Sequence, residues 1–328
     1  MRKDAKRIDE KIVYIIGAGA SKEEGIPILK DLKCALKILI GISSNYSEID
    51  QETLKKVSEL WENSFPDKNI EEVMTCLANS KPEDYQDFKY AYVAIIIYYS
   101  YYYDYYRCIR KHPKSYSQTY VQFMRRVLLE NANIISLNVD NLICDCIRLD
   151  EKLNDELFNK IDPSKKENFE TISVEARREI VSCLTDSWPF EFYRIHGSVS
   201  FPNYKEGKGN DITISSQSHF QDLKNGNFRI EFPNFKKYYK NHPDFYDCSD
   251  SIKKAKKIII IGHSFPESDK KWISNFDESV AQNTNNPIIE LINPSINLEN
   301  ISSKHKNKMR IIPITFGKYL SSLNNINS

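Results

Sequence analysis

The sequence carries almost no net charge. Lys and Arg number 46 against 45 Asp and Glu, which leaves +1 over 328 residues. That balance gives no general attraction to nucleic acid or to an anionic membrane, so neither is expected as a direct partner. Two short basic clusters, residues 1–11 and 304–310, lie near the ends and are expected to be solvated tails. Cysteine is scarce too, and seven in a chain of this length do not make a disulfide scaffold. No long apolar run occurs. The longest, residues 91–99, is about half of what a membrane span needs, and Ser100 and Asp104 interrupt its extension. The opening MRKDAKRIDEK has no apolar signal core, and a soluble, cytoplasmic protein is expected. A G-x-x-x-x-G-K-[ST] phosphate loop is also missing, which argues against NTP hydrolysis. Gly262-His263-Ser264-Phe265-Pro266 follows a G-x-S-x-G nucleophile elbow only until its last position, where proline stands.

What is present is a series of short, β-rich apolar runs: residues 12–16, 133–137, 192–195, 257–261 and 288–292, with 309–314 as a sixth. Runs without polar alternation are typical of parallel strands covered by helices on both faces. The intervals carry helical periodicity, as in residues 268–280, so the expected fold class is α/β, a doubly wound, mostly parallel Rossmann-like sheet. Two intervals exceed a simple crossover. Residues 31–131 read as a large helical insertion beside the sheet, and residues 150–188 have a charged centre around Pro163. The expectation is a single domain over 1–328, with its core at about 12–30 and 132–314. Within the insertion, residues 85–106 are dense in tyrosine. An aromatic stripe at this spacing packs a core, although tyrosine is also favoured at interfaces. The last residues, 324–328, are expected to fray.

The strongest local signal is Gly17-Ala18-Gly19-Ala20-Ser21, between the first strand and a helix. Glycines let backbone approach a pyrophosphate, a helix N-terminus presents free N–H groups, and Ser21 adds a hydroxyl. The same pattern also makes an ordinary tight turn. The third glycine of the dinucleotide fingerprint is missing. Further along stand Asn138-Val139-Asp140, His196-Gly197-Ser198, Gly262-His263-Ser264 and Ile292-Asn293, each at the end of an expected strand. Singly, an Asn-x-Asp there is an ordinary helix cap and a His-Gly an ordinary turn.

Taken in order, these blocks resemble the sirtuin superfamily. Residues 17–27, GAGASKEEGIP, are similar to its opening GAG-x-S and GIP motif. Residues 136–140 stand where the family has Asn-x-Asp, His196-Gly197 matches its catalytic His-Gly, Gly262-His263-Ser264 stands for Gly-Thr-Ser, and Asn293 for the asparagine near the adenosine ribose. The resemblance covers about residues 12–294 apart from the insertion. It implies NAD as substrate, with Asn138, Asp140 and His196 catalytic and Gly17, Ala18, Gly19, Ser21, Gly262, Ser264 and Asn293 binding the nucleotide.

Several features depart from the protein-deacylating members. Their zinc module needs four cysteines after the His-Gly, and residues 197–261 hold only Cys248, so no metal is expected. Cys144 and Cys146 would point to different faces of a helix and read as core residues. Ile28, Leu29 and Lys30 follow the GIP where Asp-Phe-Arg is usual, and Leu137 replaces a glutamine. Pro266 interrupts the segment that would pair with an acyl-lysine peptide. These departures resemble a zinc-free branch in prokaryotic antiviral systems whose members hydrolyse NAD. The implied function is an NAD glycohydrolase releasing nicotinamide and ADP-ribose, an effector of abortive antiphage defence. The chain would be silent until self-assembly or a sensor or activator subunit switches it on, with the insertion as the restraint and its tyrosine-rich segment receiving the signal. The alternatives are ADP-ribosyl transfer or cyclisation, nucleotide sensing without turnover, and protein deacylation.

Overall fold

The computed structural model describes residues 11–46, 49–78, 80–102, 117–160, 188–198, 229–230, 243–266, 269–296, 299 and 301–324. The first strand, β1 (Ile12–Ile16), runs into the short helix α1 (Ala18–Lys22). It pairs in parallel with β2 (Asn133–Ser136), which pairs with β3 (Phe192–Arg194). On its other side β1 pairs with β6 (Lys257–Ile261), followed by β7 (Ile288–Ile292) and β8 (Met309–Ile312). The sheet order is β3-β2-β1-β6-β7-β8, and β4 (Gly197–Ser198) and β5 (Arg229–Ile230) form a separate antiparallel pair. All six expected strands are therefore present in one parallel α/β sheet. Leu137 and Ile195 fall just outside their strands and the last strand stops at Ile312.

Side chains along each strand alternate between two cores, as the period of two requires. Tyr14, Ile16, Ile134, Ile259 and Ile261 face one, and Val13, Ile15, Ile135, Ile258 and Ile260 the other. The first core is covered by the helices of the long interval. These are α2 (Leu32–Ile42), α3 (Gln51–Ser64), α4 (Ile70–Leu77), α5 (Pro82–Ile97) and α6 (Gln118–Glu130). Past the β2 end, α7 (Leu142–Leu149) and α8 (Glu151–Lys160) add to it, and most of the remaining second interval, including Pro163, lies outside the described residues. The opposite core is covered by α9 (Pro243–Lys254) and α10 (Lys270–Ala281).

The insertion helices start where sequence chemistry says they should. Asp50, Asn69 and Ser117 cap α3, α4 and α6, with Glu72 completing a capping box at Asn69. Along α5 every residue from Ala91 to Ile97 is buried, so this helix is apolar all round and runs through the core. A π-helical segment, Tyr98–Tyr102, follows it. Tyr92, Tyr98 and Tyr99 are buried, with the Tyr98 and Tyr99 rings edge to face at 5.2 Å. This part of the tyrosine-rich segment is core packing, and residues 103–116 lie outside the described residues.

One expectation is corrected. Residues 304–310 are not a solvated tail, because Asp277 captures them. Its carboxylate accepts from Ser303 Oγ (2.6 Å) and the Lys304 amide (2.9 Å), and the chain then enters β8. A final helix, α11 (Phe316–Asn324), packs Phe316 against Tyr120 and Phe123. Residues 1–10 and 325–328 lie outside the described residues.

Candidate functional site

In an open parallel sheet the chain leaves two neighbouring strands in opposite directions where the strand order reverses, and a crevice opens at their carboxyl ends. Here that point lies between β1 and β6. A cavity of about 370 Å³ occupies it, within the usual size range of small-molecule sites. Ala18, Gly19, Ser21, Asn138, Asp140, His196, Gly262, Ser264 and Asn293 all line it. Residues about 275 positions apart thus meet because five strands end at the same edge of one sheet. Gly17 does not line the cavity; it lies behind the wall.

The β1–β6 wall is built from interlocked backbone. The Gly17 amide donates to Ile261 O and the Gly19 amide to Gly262 O, both at 2.8 Å, and the Gly262 amide donates to Ile292 O. A Cβ on Gly262 would lie 2.1 Å from the Ala20 nitrogen, and its φ of 67° also favours glycine. This corrects the expectation of free amides facing a phosphate. Gly17 and Gly19 spend theirs on closing the turn, and their missing side chains make room for the Gly262-His263 backbone. Gly25, at φ 92°, then turns the chain so that Ile26, Pro27 and Ile28 form part of the lining.

The β2 end presents Asn138 on a buried turn. Its Nδ2 donates to Ser21 Oγ (2.8 Å), and Ser21 Oγ lies 2.9 Å from Tyr120 Oη and also hydrogen-bonds Asp140. One hydroxyl has one proton. With Asp140 as acceptor, Ser21 donates there and accepts from both Asn138 and Tyr120. Burial raises the Tyr120 phenol well above its ordinary value and so keeps it a donor. Ser21, expected as a phosphate donor, has its hydroxyl engaged within the protein. Burial also pushes the Asp140 carboxyl up, and hydrogen bonds from Ser21 and the Leu142 amide pull it partly back.

Among the described residues, two polar groups on this side lack partners. Asn138 Oδ1 and both ring nitrogens of His196 are buried without a hydrogen bond. His196 Nε2 lies 3.4 Å from Asp269 Oδ1, within ion-pair range but without hydrogen-bond geometry. Asp269 Oδ2 is 2.8 Å from His263 Nε2, and His263 Nδ1 accepts from the Phe265 amide at 3.2 Å. Phe265 holds that amide in place from a left-handed backbone (φ 53°), with its ring packed on His263 and Phe276. Burial works against the Asp269 charge, but the hydrogen bond from His263 and the charge interactions with His196 and His263 outweigh it and hold the carboxyl below the ordinary carboxylate range.

Sequence reasoning placed no role on His263 or Asp269, although both lie in or beside the Gly262-His263-Ser264 block. It also missed Leu32, Glu71, Tyr92 and Ile96, which bring the insertion into the lining. No local signal marks those four, since helical periodicity does not say which turn of a helix will cover a strand end. Cys146 is buried in the core and Cys144 only half-buried, as their spacing predicts. Among the described residues no group of three or more His, Cys, Asp or Glu is arranged to hold a metal, and no helix is long and apolar enough to cross a membrane.

No protein-family model matches the chain, and no curated protein matches it. Solved structures similar to it include a Sir2 protein in complex with the inhibitor EX-527, 2'-O-acetyl-ADP-ribose and a deacetylated p53 peptide. That pair shares 11% identity over 97% of this chain and 94% of the other, with a TM-score of 0.39. Another is a sirtuin solved for the structural basis of its substrate affinity, at 12% identity, the same coverage and a TM-score of 0.43. Likeness of this size carries no weight for activity, which has to be argued from the cavity's own residues.

Proposed function

We propose that the chain is an NAD glycohydrolase that releases nicotinamide and ADP-ribose, acting as an effector of antiphage defence. One observation carries the reading. Asn138 Oδ1 and His196 keep polar atoms out of water without partners, beside one cavity at the sheet's switch point. Each such atom costs about 1–3 kcal/mol unless something else bonds it. A ligand carrying hydroxyl and amide groups at that end would satisfy them.

The bond to nicotinamide breaks with positive charge developing on the ribose carbon, and the leaving group departs neutral, so no strong acid is needed. Asn138, fixed through its Nδ2, offers Oδ1 to the nicotinamide side or to an attacking water. Asp140 offsets developing charge or bonds the carboxamide, and His196 takes a proton from water or a ribose hydroxyl. Ala18, Gly19, Gly262, Ser264 and Asn293 form the nucleotide side, with Ser264 exposed at the mouth. No metal enters the reading. Metal analysis of purified protein is expected to find well under one zinc per chain, and one tightly held zinc would count against it.

Leu32, Glu71, Tyr92 and Ile96 tie the insertion to the cavity. A shift of about an ångström there would cost on the order of a hundredfold in rate, which fits restraint by the insertion that an oligomer or an activator subunit relieves. The direct test is incubation of the pure protein with NAD, with and without an acyl-lysine peptide, and identification of products by mass. Nicotinamide with linear ADP-ribose and no need for peptide is the expected result. Peptide-dependent turnover would make it a deacylase, a cyclic or transferred product a cyclase or transferase, and binding without turnover a sensor.

A further inference from the structure

His196 and His263 both approach the carboxylate of Asp269, each from its own oxygen. The polarity of the chain can be read from its far end. A backbone amide only donates, so the Phe265 N–H requires His263 Nδ1 to be an unprotonated acceptor. The proton of neutral His263 is then on Nε2, and it donates to Asp269 Oδ2. That bond fixes the carboxylate, and its other oxygen, Oδ1, is held toward His196 Nε2. All three residues are more than nine-tenths buried.

We propose that Asp269, anchored by His263, is a positioning residue that places the proton of His196 on Nε2 and so leaves Nδ1 as the basic atom of the site. This deepens the hydrolase reading and rests on it for the catalytic role alone. His196 Nδ1 has no partner among the described residues, and the residue lines the cavity. When Nδ1 takes a proton from a hydroxyl, the imidazole becomes a cation beside the Asp269 carboxylate, which does not itself take the proton. The O–H bond breaks, the N–H bond forms, and the oxygen keeps the electron pair. Contacts of this type are often long without substrate and tighten when it binds, which accommodates the 3.4 Å separation.

The arrangement makes an unusual demand on Asp269→Asn. His263 Nε2–H can be satisfied only by the carboxamide oxygen. The carboxamide NH2 must then face His196 Nε2, and an NH2 only donates. The proton of His196 is driven to Nδ1, and the base is lost without any change of shape.

Histidine tautomers are read from ¹⁵N–¹H correlation spectra of the full-length, ¹⁵N-histidine-labelled protein, with His196→Gln assigning the signal. The expected wild-type result is His196 protonated on Nε2, and Asp269→Asn should move the proton to Nδ1. With NAD, that variant is expected to lose on the order of 10²–10⁴-fold in kcat, with KM changed only a few-fold. A merely structural role would not swap the tautomer. Wild-type His196 protonated on Nδ1, or an Asp269→Asn variant that keeps both tautomer and kcat, would overturn the proposal. Should the variant fail to fold, the wild-type spectrum still decides. An Nε2 proton in a protein that never turns over NAD would uphold the pair and sink the hydrolase reading instead.

Discussion

At the β2–β3 end of the cavity, Asn138 Oδ1 and the His196 ring are buried with bonds unmade. At the β1–β6 end, the Gly17, Gly19 and Gly262 amides are all bonded, and His263 is satisfied on both nitrogens. Among the described residues the first region is short of hydrogen bonds and the second is saturated. Groups that bind and react have to be left unsatisfied by the protein, whereas groups that hold them need every bond the fold can supply. The two regions meet at Ser21, which belongs to the glycine turn yet holds Asn138 in place.

The sharpest way to break this comparison is to add a methyl group to the saturated side. Gly262→Ala places a Cβ against the Ala20 and Gly19 backbone at 2.1 and 2.6 Å, where neither neighbour can give way cheaply. A loss of at least about 3 kcal/mol is expected, enough to abolish cooperative thermal unfolding or lower its midpoint steeply. Gly41→Ala, where a Cβ meets nothing within 4 Å, is the control and should be neutral or slightly stabilising. If Gly262→Ala were as stable as the parent, the interlock would not be what holds this wall.

On the unsatisfied side the opposite pattern is expected. Asn138→Ala and His196→Ala should each lower NAD turnover by at least about a hundredfold, equivalent to about 2.7 kcal/mol of barrier, while the melting temperature stays within a few degrees. Circular dichroism and turnover measured on the same samples separate the two effects. Full activity in both folded variants would remove these residues from the site.

The smallest effect concerns acid. Because the Asp269 carboxyl is held below its ordinary value of 3.8, its contribution to stability is fully present above that pH and fades as pH falls below it. Urea midpoints of the parent should drop between about pH 4 and pH 3 more steeply than those of Asp269→Asn, by up to about 1.4 kcal/mol per pH unit. Parallel curves would mean that Asp269 is not the carboxylate the two histidines stabilise.

Much of this was legible in the residues alone. Runs such as Lys-Ile-Ile-Ile-Ile at 257–261 announce a buried strand, and capping residues such as Asp50 and Asn69 announce helix starts, because strand burial and helix capping are local properties. Residues 304–310 misled for the same reason. Their local basicity suggests a tail, and only Asp277, about thirty residues away, turns them into a capped entry to a strand.

By itself, the sequence determined a parallel α/β sheet and the glycine, asparagine and histidine blocks at its strand ends, since each is a short-range pattern of burial or turn chemistry. Only the tertiary structure decided which of those blocks line the cavity and which face each other. The expected phosphate amides of Gly17 and Gly19 close on β6, the Ser21 hydroxyl turns inward to Asn138, and His263 with Asp269 joins His196. Those outcomes depend on the order of strands in the sheet, which sets β2 on one side of β1 and β6 on the other. Contacts between segments far apart in the chain, such as that of Ser21 with Asn138, leave no local trace in the residues that make them.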